Sequence, residues 1–290
     1  MRSLLLILSM ALAACSARAE TLMHDGVERT YAVDGTAGNA PALLVLHGGG
    51  GTGERIKRYT RFNLAQKGWT VIYPDGLDNF WSDGRTGLDG APLRQTDDVG
   101  FLQALIARLT AEGRIDPAQV YAVGVSNGGA MTQRLICQAP GLLAGAVVTV
   151  MTFPVGLNCP PGPPTPITFI LGTADPLVPY QGGAIQTRRR HRGAVRSADQ
   201  TLKFYADRNR CQGAKDALLP DRVQSDGVRV RKVTYTGCAA PLHAYIMDGG
   251  GHVWPGRRVP RILKSMLGAG VFDLDGETVV EDFVTSLAGR

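Results

Sequence analysis

The stretch Gln119-Val-Tyr-Ala-Val-Gly-Val-Ser-Asn-Gly128 decides the fold of this 290-residue chain. Residues 119–125 form an apolar, β-branched run that predicts a buried strand. Residues 129–139 predict a helix that ends at Pro140-Gly141. Ser126 therefore occupies a G-x-S-x-G pattern on a sharp strand-to-helix turn, where its hydroxyl is exposed at the positive end of a helix. We interpret Ser126 as a nucleophile; the alternative is a Gly-rich turn that carries a serine by chance.

Length and composition favour one large globular domain, residues 20–290. The chain is 44% hydrophobic and 19% charged, which is ordinary for a globular protein with a sizeable core. The formal net charge is +6, and it falls to +4 without the two arginines of residues 1–19. That mild basic balance gives no indication of nucleic-acid binding. The densest basic run is Arg188–Arg192, for which we expect a solvated loop, with attraction to an acidic polymer or an anionic surface as the alternative.

Residues 1–19 predict an export signal. Arg2 precedes an apolar run, residues 4–14, that is too short to span a bilayer. Two processing sites compete: residues 17–19 have the small-x-small form of an ordinary cleavage site, and Leu12-Ala-Ala-Cys15 resembles a bacterial lipobox. Cleavage at the lipobox would leave Cys15 as a lipidated N-terminus, and only that form would associate with a membrane. Both interpretations predict a periplasmic or extracellular protein.

Four cysteines besides Cys15 agree with export. An even number in an oxidising compartment predicts two disulfides, and four cysteines allow three connectivities. We favour the two local pairs, Cys137–Cys159 and Cys211–Cys238. No spacing of histidines and cysteines indicates a metal site, and no cofactor is expected.

Strand-like and helix-like segments alternate along the chain. Continuous apolar runs predict strands that are buried on both faces, and the segments between them have helical spacing. This alternation predicts an α/β fold with a mostly parallel sheet covered by helices on both faces. The segments are residues 42–46, 69–73, 144–151, 167–171, 228–235 and 244–247 for strands, and residues 99–109, 198–205 and 279–287 for helices.

A nucleophilic serine needs a histidine base. His252 lies in the glycine-rich turn Gly249–Gly256, after a predicted strand near the C-terminus. In α/β-hydrolases the base follows the serine and the acid in chain order, so His252 is the predicted base. The other four histidines fall in predicted strands, at a strand end or in the arginine run: His24, His47, His191 and His243.

The acid that orients the histidine is predicted to be Asp175. It follows the strand of residues 167–171 in a loop that faces the same side of the sheet as the serine turn. The rivals are Asp221, Asp226 and Asp248, and the last of these lies only four residues before His252, which suits a loop-capping role.

Glycines predict where the oxyanion of an acyl-transfer reaction would bind. Backbone N–H groups must approach the oxyanion to about 3 Å, and the run Gly48–Gly51 permits that approach. Gly49 is the predicted first donor, with Gly50 as the next choice, and Asn127 is the second donor because it follows the nucleophile. A phosphate-binding loop is a weaker alternative, because the Lys-Ser/Thr ending of that motif is missing.

Together, seven motifs resemble the secreted polyhydroxybutyrate depolymerase and feruloyl-esterase-like group of α/β-hydrolases. The resemblance covers residues 21–287 and implies an α/β-hydrolase fold, a triad of Ser126, Asp175 and His252, and both favoured disulfide pairings. The sequence departs from the group in its glycine run, residues 49–51, and in the arginine run. The motifs are Leu46-His-Gly-Gly-Gly, Trp81-Ser-Asp-Gly84, Asp97-Asp-Val-Gly-Phe101, Ile115-Asp-Pro117, Gly124-x-Ser-x-Gly-Gly129, Gly172-Thr-Ala-Asp175-Pro and Gly250-Gly-His-x-Trp-Pro-Gly256.

The sequence therefore predicts a secreted serine esterase whose partner is an ester substrate. Trp81 and Trp254 either line the substrate pocket or fill packing space, and Trp254 is the stronger candidate because it lies two residues from His252. Hydroxyalkanoate oligomers and feruloyl or acetyl esters are the expected substrates. A peptidase of the same fold and a non-catalytic polymer-binding protein are the alternatives, and the sequence leaves the oligomeric state open.

Overall fold

The structure is a computed structural model that describes residues 19–35, 38–87, 90, 92–187 and 190–289, with the side chains of residues 186–191 left out. Residues 1–18 of the predicted export signal, Cys15 among them, lie outside the described residues. So do Arg188 and Arg189 of the arginine run.

The described chain contains twelve strands and six α-helices. The strands are β1 (Glu20–His24), β2 (Val27–Asp34), β3 (Ala40–Leu46), β4 (Thr70–Pro74), β5 (Ile115–Val125), β6 (Gly145–Thr149), β7 (Ile167–Gly172), β8 (Gly183–Thr187), β9 (Arg190–Val195), β10 (Gly213–Leu218), β11 (Arg229–Thr236) and β12 (Leu242–Asp248). The helices are α1 (Gly53–Thr60), α2 (Asp98–Ala111), α3 (Asn127–Gln138), α4 (Ala198–Arg208), α5 (Lys264–Leu267) and α6 (Gly276–Ala288).

Ten of these strands form one sheet in the order β1-β2-β4-β3-β5-β6-β7-β12-β11-β10. The six central strands, from β4 to β12, pair in parallel. Antiparallel pairs close both edges of the sheet. The remaining strands, β8 and β9, form a separate antiparallel hairpin. The predicted mostly parallel sheet of an α/β-hydrolase is confirmed.

The helices cover both faces of the sheet because successive side chains of each central strand point to opposite faces. In β3, Leu44 packs in the core cluster that contains residues of α2, α3 and α4. Its neighbours Leu43 and Val45 pack in the second cluster, which contains residues of α1 and α6. This two-sided burial explains why the central strands are continuous apolar runs.

Local signals fix the ends of the helices. Ser197 and Gln200 form the capping box predicted for α4, and Asp97 caps α2 by accepting a hydrogen bond from the Gly100 N–H. Helix α3 begins at Asn127, two residues earlier than predicted, because the Ser126 carbonyl already accepts a hydrogen bond from the Ala130 N–H.

Two disulfides are present, Cys137–Cys159 and Cys211–Cys238. The first joins the end of α3 to the segment before β7, and the second joins the segment after α4 to the end of β11. In the described part of the chain, no helix is both long enough and apolar enough to cross a bilayer.

Candidate active site

A cleft of about 1040 Å³ lies at the carboxyl ends of the central strands and contains two of the predicted catalytic residues, Ser126 and His252. The strand ends meet at this edge because the central strands are parallel. Most of the lining side chains are apolar. The lining residues are His47, Gly48, Gly49, Gly50, Gly51, Arg55, Ile56, Tyr59, Val125, Ser126, Pro176, Leu177, His252, Trp254, Leu263, Ser265, Met266 and Leu267.

Ser126 has the backbone conformation of a strained turn between β5 and α3. Its φ is 56° and its ψ is −120°, a combination that is costly for a residue with a side chain. The surrounding packing enforces it: a Cβ at Gly124 would lie 2.2 Å from the Gly128 carbonyl oxygen, and a Cβ at Gly128 would lie 2.2 Å from the Leu46 carbonyl oxygen. The two glycines of the G-x-S-x-G pattern are therefore required by close backbone contacts.

His252 and Asp175 are in contact although 77 residues separate them in the chain. Nδ1 of His252 lies 2.7 Å from Oδ2 of Asp175, and both side chains are almost fully buried. The other oxygen of Asp175 accepts hydrogen bonds from the N–H groups of Leu177 and Val178, at 2.8 Å each. The carboxylate is thus held by its own loop and aimed at the imidazole.

The loops that carry these two residues meet at glycines. A Cβ at Gly172, the last residue of β7, would lie 2.4 Å from the Gly250 carbonyl oxygen. A Cβ at Gly251 would lie 2.0 Å from the Leu267 carbonyl oxygen. The Ala174 N–H also donates to the Gly250 carbonyl, at 3.0 Å. Backbone contact between the loops sets the distance between acid and base.

The three rival aspartates and the other histidines have different surroundings. His24 pairs with Asp97 at 3.1 Å, and His243 lies in β12, where burial lowers its pKa. The side chain of His191 lies outside the described residues. The rival aspartates pair with arginines or accept backbone N–H groups: Asp221 pairs with Arg229, Asp248 with Arg231, and Asp226 accepts from Val228 and Phe272.

The glycine run beside Ser126 leaves one strong candidate for the first oxyanion donor. The Gly50 N–H donates to the Asn79 carbonyl at 2.7 Å, and the Gly51 N–H donates to the Gly48 carbonyl at 2.9 Å. The Gly49 N–H has no hydrogen-bond partner among the described residues. The second choice, Gly50, is therefore occupied, and Gly49 remains available. The Asn127 N–H stands in the first turn of α3, where helical N–H groups have no partner within the helix.

His47 supports this loop and stays neutral. The Gly76 N–H donates to Nε2 of His47 at 2.9 Å, so the proton lies on Nδ1, which donates to the Gly48 carbonyl at 2.8 Å. Burial is the main cause that lowers the pKa of His47 below its ordinary value. The imidazole lines the cleft, but both of its nitrogens are committed to backbone groups.

The pocket role predicted for Trp81 needs correction, and Trp254 contributes little surface to the cleft that it borders. Trp81 is 1% exposed and packs behind the glycine run, where its indole N–H donates to the His47 carbonyl at 3.0 Å. It lies in the core because its backbone is tied to α3, so it contributes no surface to the cleft. Trp254 is also 1% exposed, but it borders the cleft, and most of its ring packs against Phe62 and the start of α6 at Gly276.

A buried polar network that the sequence did not reveal holds the Asn127 turn. The Asn127 side chain pairs with both backbone groups of Trp81, accepting its N–H at 2.8 Å and donating to its carbonyl at 3.1 Å. It also donates to Asp83 at 2.6 Å, and Asp83 is ion-paired with Arg85. Arg85 then donates to the Arg192 carbonyl in the β8–β9 hairpin. The sequence signal closest to this network is the motif Trp81–Gly84, which carries the family resemblance but does not indicate a contact with the Asn127 side chain.

The sequence relatives of this chain are named as esterases. The protein "Putative esterase NocK" of Nocardia uniformis subsp. tsuyamanensis is 32% identical over 264 residues, which are 81% of this chain and 73% of that protein. Feruloyl esterase B of Piromyces equi is 32% identical over 45% of this chain and 25% of its own length. Poly(3-hydroxybutyrate) depolymerase of Ralstonia pickettii is 35% identical over 34% of this chain and 19% of its own length. No protein-family model matches the chain.

Solved structures share the fold. A thermostable esterase superposes with a TM-score of 0.56 at 17% identity, over 94% of this chain and 62% of that one. The acetyl xylan esterase from Aspergillus awamori also gives a TM-score of 0.56, at 13% identity, over 81% of this chain and 94% of its own. At these identities the likeness establishes the α/β-hydrolase fold alone.

Proposed function

The chain belongs to the α/β-hydrolase family of feruloyl-esterase-like and polyhydroxybutyrate-depolymerase-like proteins and is an ester hydrolase; from that premise, we propose that it is a serine esterase whose triad is Ser126, Asp175 and His252. The observation that carries the proposal is the 2.7 Å contact of Asp175 with His252, which lines the same cleft as Ser126.

In the proposed mechanism, Asp175 fixes the tautomer of His252. The carboxylate accepts the Nδ1–H, which leaves a lone pair on Nε2 to act as the base. His252 takes the Ser126 hydroxyl proton while Oγ bonds to the ester carbonyl carbon. The carbonyl oxygen becomes an oxyanion, which accepts hydrogen bonds from the N–H groups of Gly49 and Asn127.

Collapse of this intermediate releases the alcohol. The C–O bond to the alcohol breaks as His252 returns its proton to the leaving oxygen, and the acyl group remains on Ser126. A water molecule then gives a proton to His252, and its oxygen bonds to the acyl carbon. The second collapse breaks the bond to Ser126, returns the proton to Oγ and releases the carboxylic acid. Each step uses groups of this chain and water.

Without substrate, the hydroxyl of Ser126 is not yet paired with the base. In the described part of the chain, no hydrogen bond joins Ser126 Oγ to His252. Catalytic hydrogen bonds often tighten only when the substrate binds. The backbone of Ser126 is fixed by its N–H, which donates to the Thr149 carbonyl at 2.9 Å, so we expect the side chain alone to adjust when the hydroxyl pairs with Nε2.

Hydroxyalkanoate oligomers and feruloyl or acetyl esters are the proposed substrates. The names of the relatives support these classes. A largely apolar cleft of about 1040 Å³ is also large enough for an aromatic or oligomeric acyl group.

We also propose that the protein is exported, with residues 1–19 as its signal and residues 20–290 as its single catalytic domain. The two disulfides support this assignment, because such bonds persist mainly in oxidising compartments. Mass spectrometry of the N-terminal peptide, from protein recovered from the producing cell, distinguishes cleavage after Ala19 from a lipidated Cys15.

The proposed function is tested by hydrolysis of p-nitrophenyl acetate and butyrate, methyl ferulate and a hydroxybutyrate oligomer. Ser126→Ala is expected to remain folded and to lose on the order of 10⁴-fold or more in kcat. A fluorophosphonate should label the wild type at Ser126 and leave the variant unlabelled. A folded Ser126→Ala protein with undiminished activity would refute the triad.

A further inference from the structure

Arg55 is a permanent positive charge in an otherwise uncharged apolar cleft. It lines the same cleft as Ser126, next to Ile56 and Tyr59. No aspartate or glutamate is among the described residues that line this cleft. An arginine keeps its charge at any physiological pH, so the cleft has one fixed cation and no lining carboxylate to neutralise it.

Hydrogen bonding holds Arg55 beside the proposed oxyanion loop. Its Nη1 donates to the Gly50 carbonyl at 3.3 Å, and Gly50 adjoins Gly49, the proposed first donor. The guanidinium has five N–H donors, so most of them remain free for another acceptor. Arg55, which is exposed, and Ser126 therefore line the same cleft.

No acidic residue in the described part of the chain forms an ion pair with Arg55. Its neighbour Glu54 lies 3.5 Å from Arg58 instead, and none of the ion pairs within the described residues includes Arg55. The residue also stands in the first turn of α1, where the helix dipole disfavours a cation. Both observations indicate a charge that no carboxylate among the described residues neutralises.

Another segment that lines the cleft adds to the positive charge around it. Residues 249–272 contain four basic residues and no acidic one. Arg257 pairs with Glu277, whereas no ion pair in the described part of the chain includes Arg261 or Lys264. The segment that contains them supplies Leu263 and Met266 to the cleft wall. A low-dielectric wall with uncompensated cations at its edge attracts anions.

We propose that the preferred substrates are esters that carry a carboxylate, and that Arg55 is the residue that binds it. This inference rests on the proposed esterase function and adds the charge of the substrate. A guanidinium recognises a carboxylate through two parallel N–H donors, which a neutral amide of the same size cannot match. The apolar lining would then contact the part of the substrate that lies between its carboxylate and the scissile ester.

Matched pairs of substrates test the charge without changing size. Methyl hydrogen adipate is compared with methyl adipamate, in which a carboxamide replaces the carboxylate on the acyl side. In the same way, 4-acetoxybutanoate is compared with 4-acetoxybutanamide for the alcohol side. The wild type is expected to favour the carboxylate of at least one pair about tenfold in kcat/KM.

Arg55→Gln is expected to bring that preference close to one, and Arg55→Lys to retain part of it. Arg58→Gln removes a charge from the same helix outside the cleft and should leave the preference as in the wild type. A preference near one in the wild type for both pairs would overturn the inference. So would equal losses on the carboxylate and the amide in Arg55→Gln, since those would mean that Arg55 acts on the loop or the oxyanion. The proposed function is judged separately, by loss of all turnover in Ser126→Ala.

Discussion

Gly172 and Gly250 meet so closely that a Cβ on Gly172 would lie 2.4 Å from the Gly250 carbonyl oxygen. The end of β7 can therefore approach the loop that carries His252 this closely only because residue 172 is a glycine. This contact determines how near Asp175 comes to His252.

Gly172→Ala should therefore impair both stability and activity. The added methyl group must push the two loops apart, at a cost of about 1–3 kcal/mol in unfolding free energy. Because displacement of a catalytic group by about 1 Å can cost on the order of a hundredfold, we expect a comparable loss in kcat/KM. Urea unfolding and ester hydrolysis measure the two effects. Gly213→Ala is the control. Gly213 lies on the edge strand β10, and the nearest atom to an added Cβ would be the Thr236 hydroxyl oxygen, at 3.3 Å. Equal activity in the two variants would contradict the explanation.

Asn127→Ala tests whether the asparagine side chain positions the proposed oxyanion donor. The variant keeps the backbone N–H at position 127 but loses the side-chain hydrogen bonds to Trp81 and Asp83. We therefore expect kcat to fall about tenfold or more, with a smaller change in KM. Removal of these buried partners should also destabilise the protein by about 2 kcal/mol.

Asn209→Ala provides a matched control for that variant. Asn209 is fully buried and pairs with both backbone groups of Thr165, away from the cleft. Its replacement should cost similar stability and leave kcat unchanged. If the two variants lost the same fraction of kcat, the effect would be one of stability alone.

The two disulfides should contribute similar stability. Cys137–Cys159 spans 22 residues and Cys211–Cys238 spans 27, so the loop-closure contribution of each is about 3 kcal/mol. Paired Cys→Ala variants and thermal unfolding measure it. Loss of the first pair frees the end of the nucleophile helix α3, but the strained turn lies at the opposite end, so activity at low temperature should persist. A folded Cys137→Ala, Cys159→Ala protein without activity would contradict this separation.

Stability should decrease as the pH falls below 6.5, the ordinary pKa of histidine. Burial lowers the pKa of His47, and burial together with Lys232 lowers that of His243. The unfolded chain then binds a proton before the folded one does. The stabilisation is fully present above pH 6.5 and is lost as the pH falls from there toward each folded pKa. Each histidine contributes up to about 1.4 kcal/mol per pH unit.

His243→Gln isolates one of these two contributions. The variant should show a shallower fall in unfolding free energy below pH 6.5 than the wild type, with a slope that is smaller by at most one proton. Chemical unfolding at a series of pH values measures the slope. Parallel slopes for the two proteins would show that His243 is not buried as a neutral group.

Local pattern was sufficient for most of the elements. The apolar run of residues 119–125, the G-x-S-x-G turn and the capping box at Ser197 each report interactions within a few residues. The predicted start of α3 is two residues too late. Glycines follow Asn127, but the Ser126 carbonyl already accepts the first hydrogen bond of the helix, from the Ala130 N–H.

The sequence pattern around a tryptophan did not show whether its side chain lines the pocket or packs in the core. Trp81 and Trp254 both follow strands near the cleft and are both 1% exposed, but Trp254 borders the cleft, whereas Trp81 is held behind it by hydrogen bonds with Asn127 and His47. Those partners lie 46 and 34 residues away, and no periodicity in the sequence indicates such pairs. Arg55 was likewise overlooked, because a single basic residue in a first helical turn resembles an ordinary surface charge.

The sequence by itself determined the succession of strands and helices, the strained serine turn and the types of residue that could act as base and acid, because each depends on neighbours in the chain. Only the tertiary structure decided that His252 lies 2.7 Å from Asp175 and that the Asn127 side chain is hydrogen-bonded to Trp81. It also decided that the Gly50 N–H has a hydrogen-bond partner, whereas the Gly49 N–H has none among the described residues. These contacts depend on strand order and register in the sheet and on the close backbone approaches that glycines allow between distant segments, and local pattern does not encode those distances.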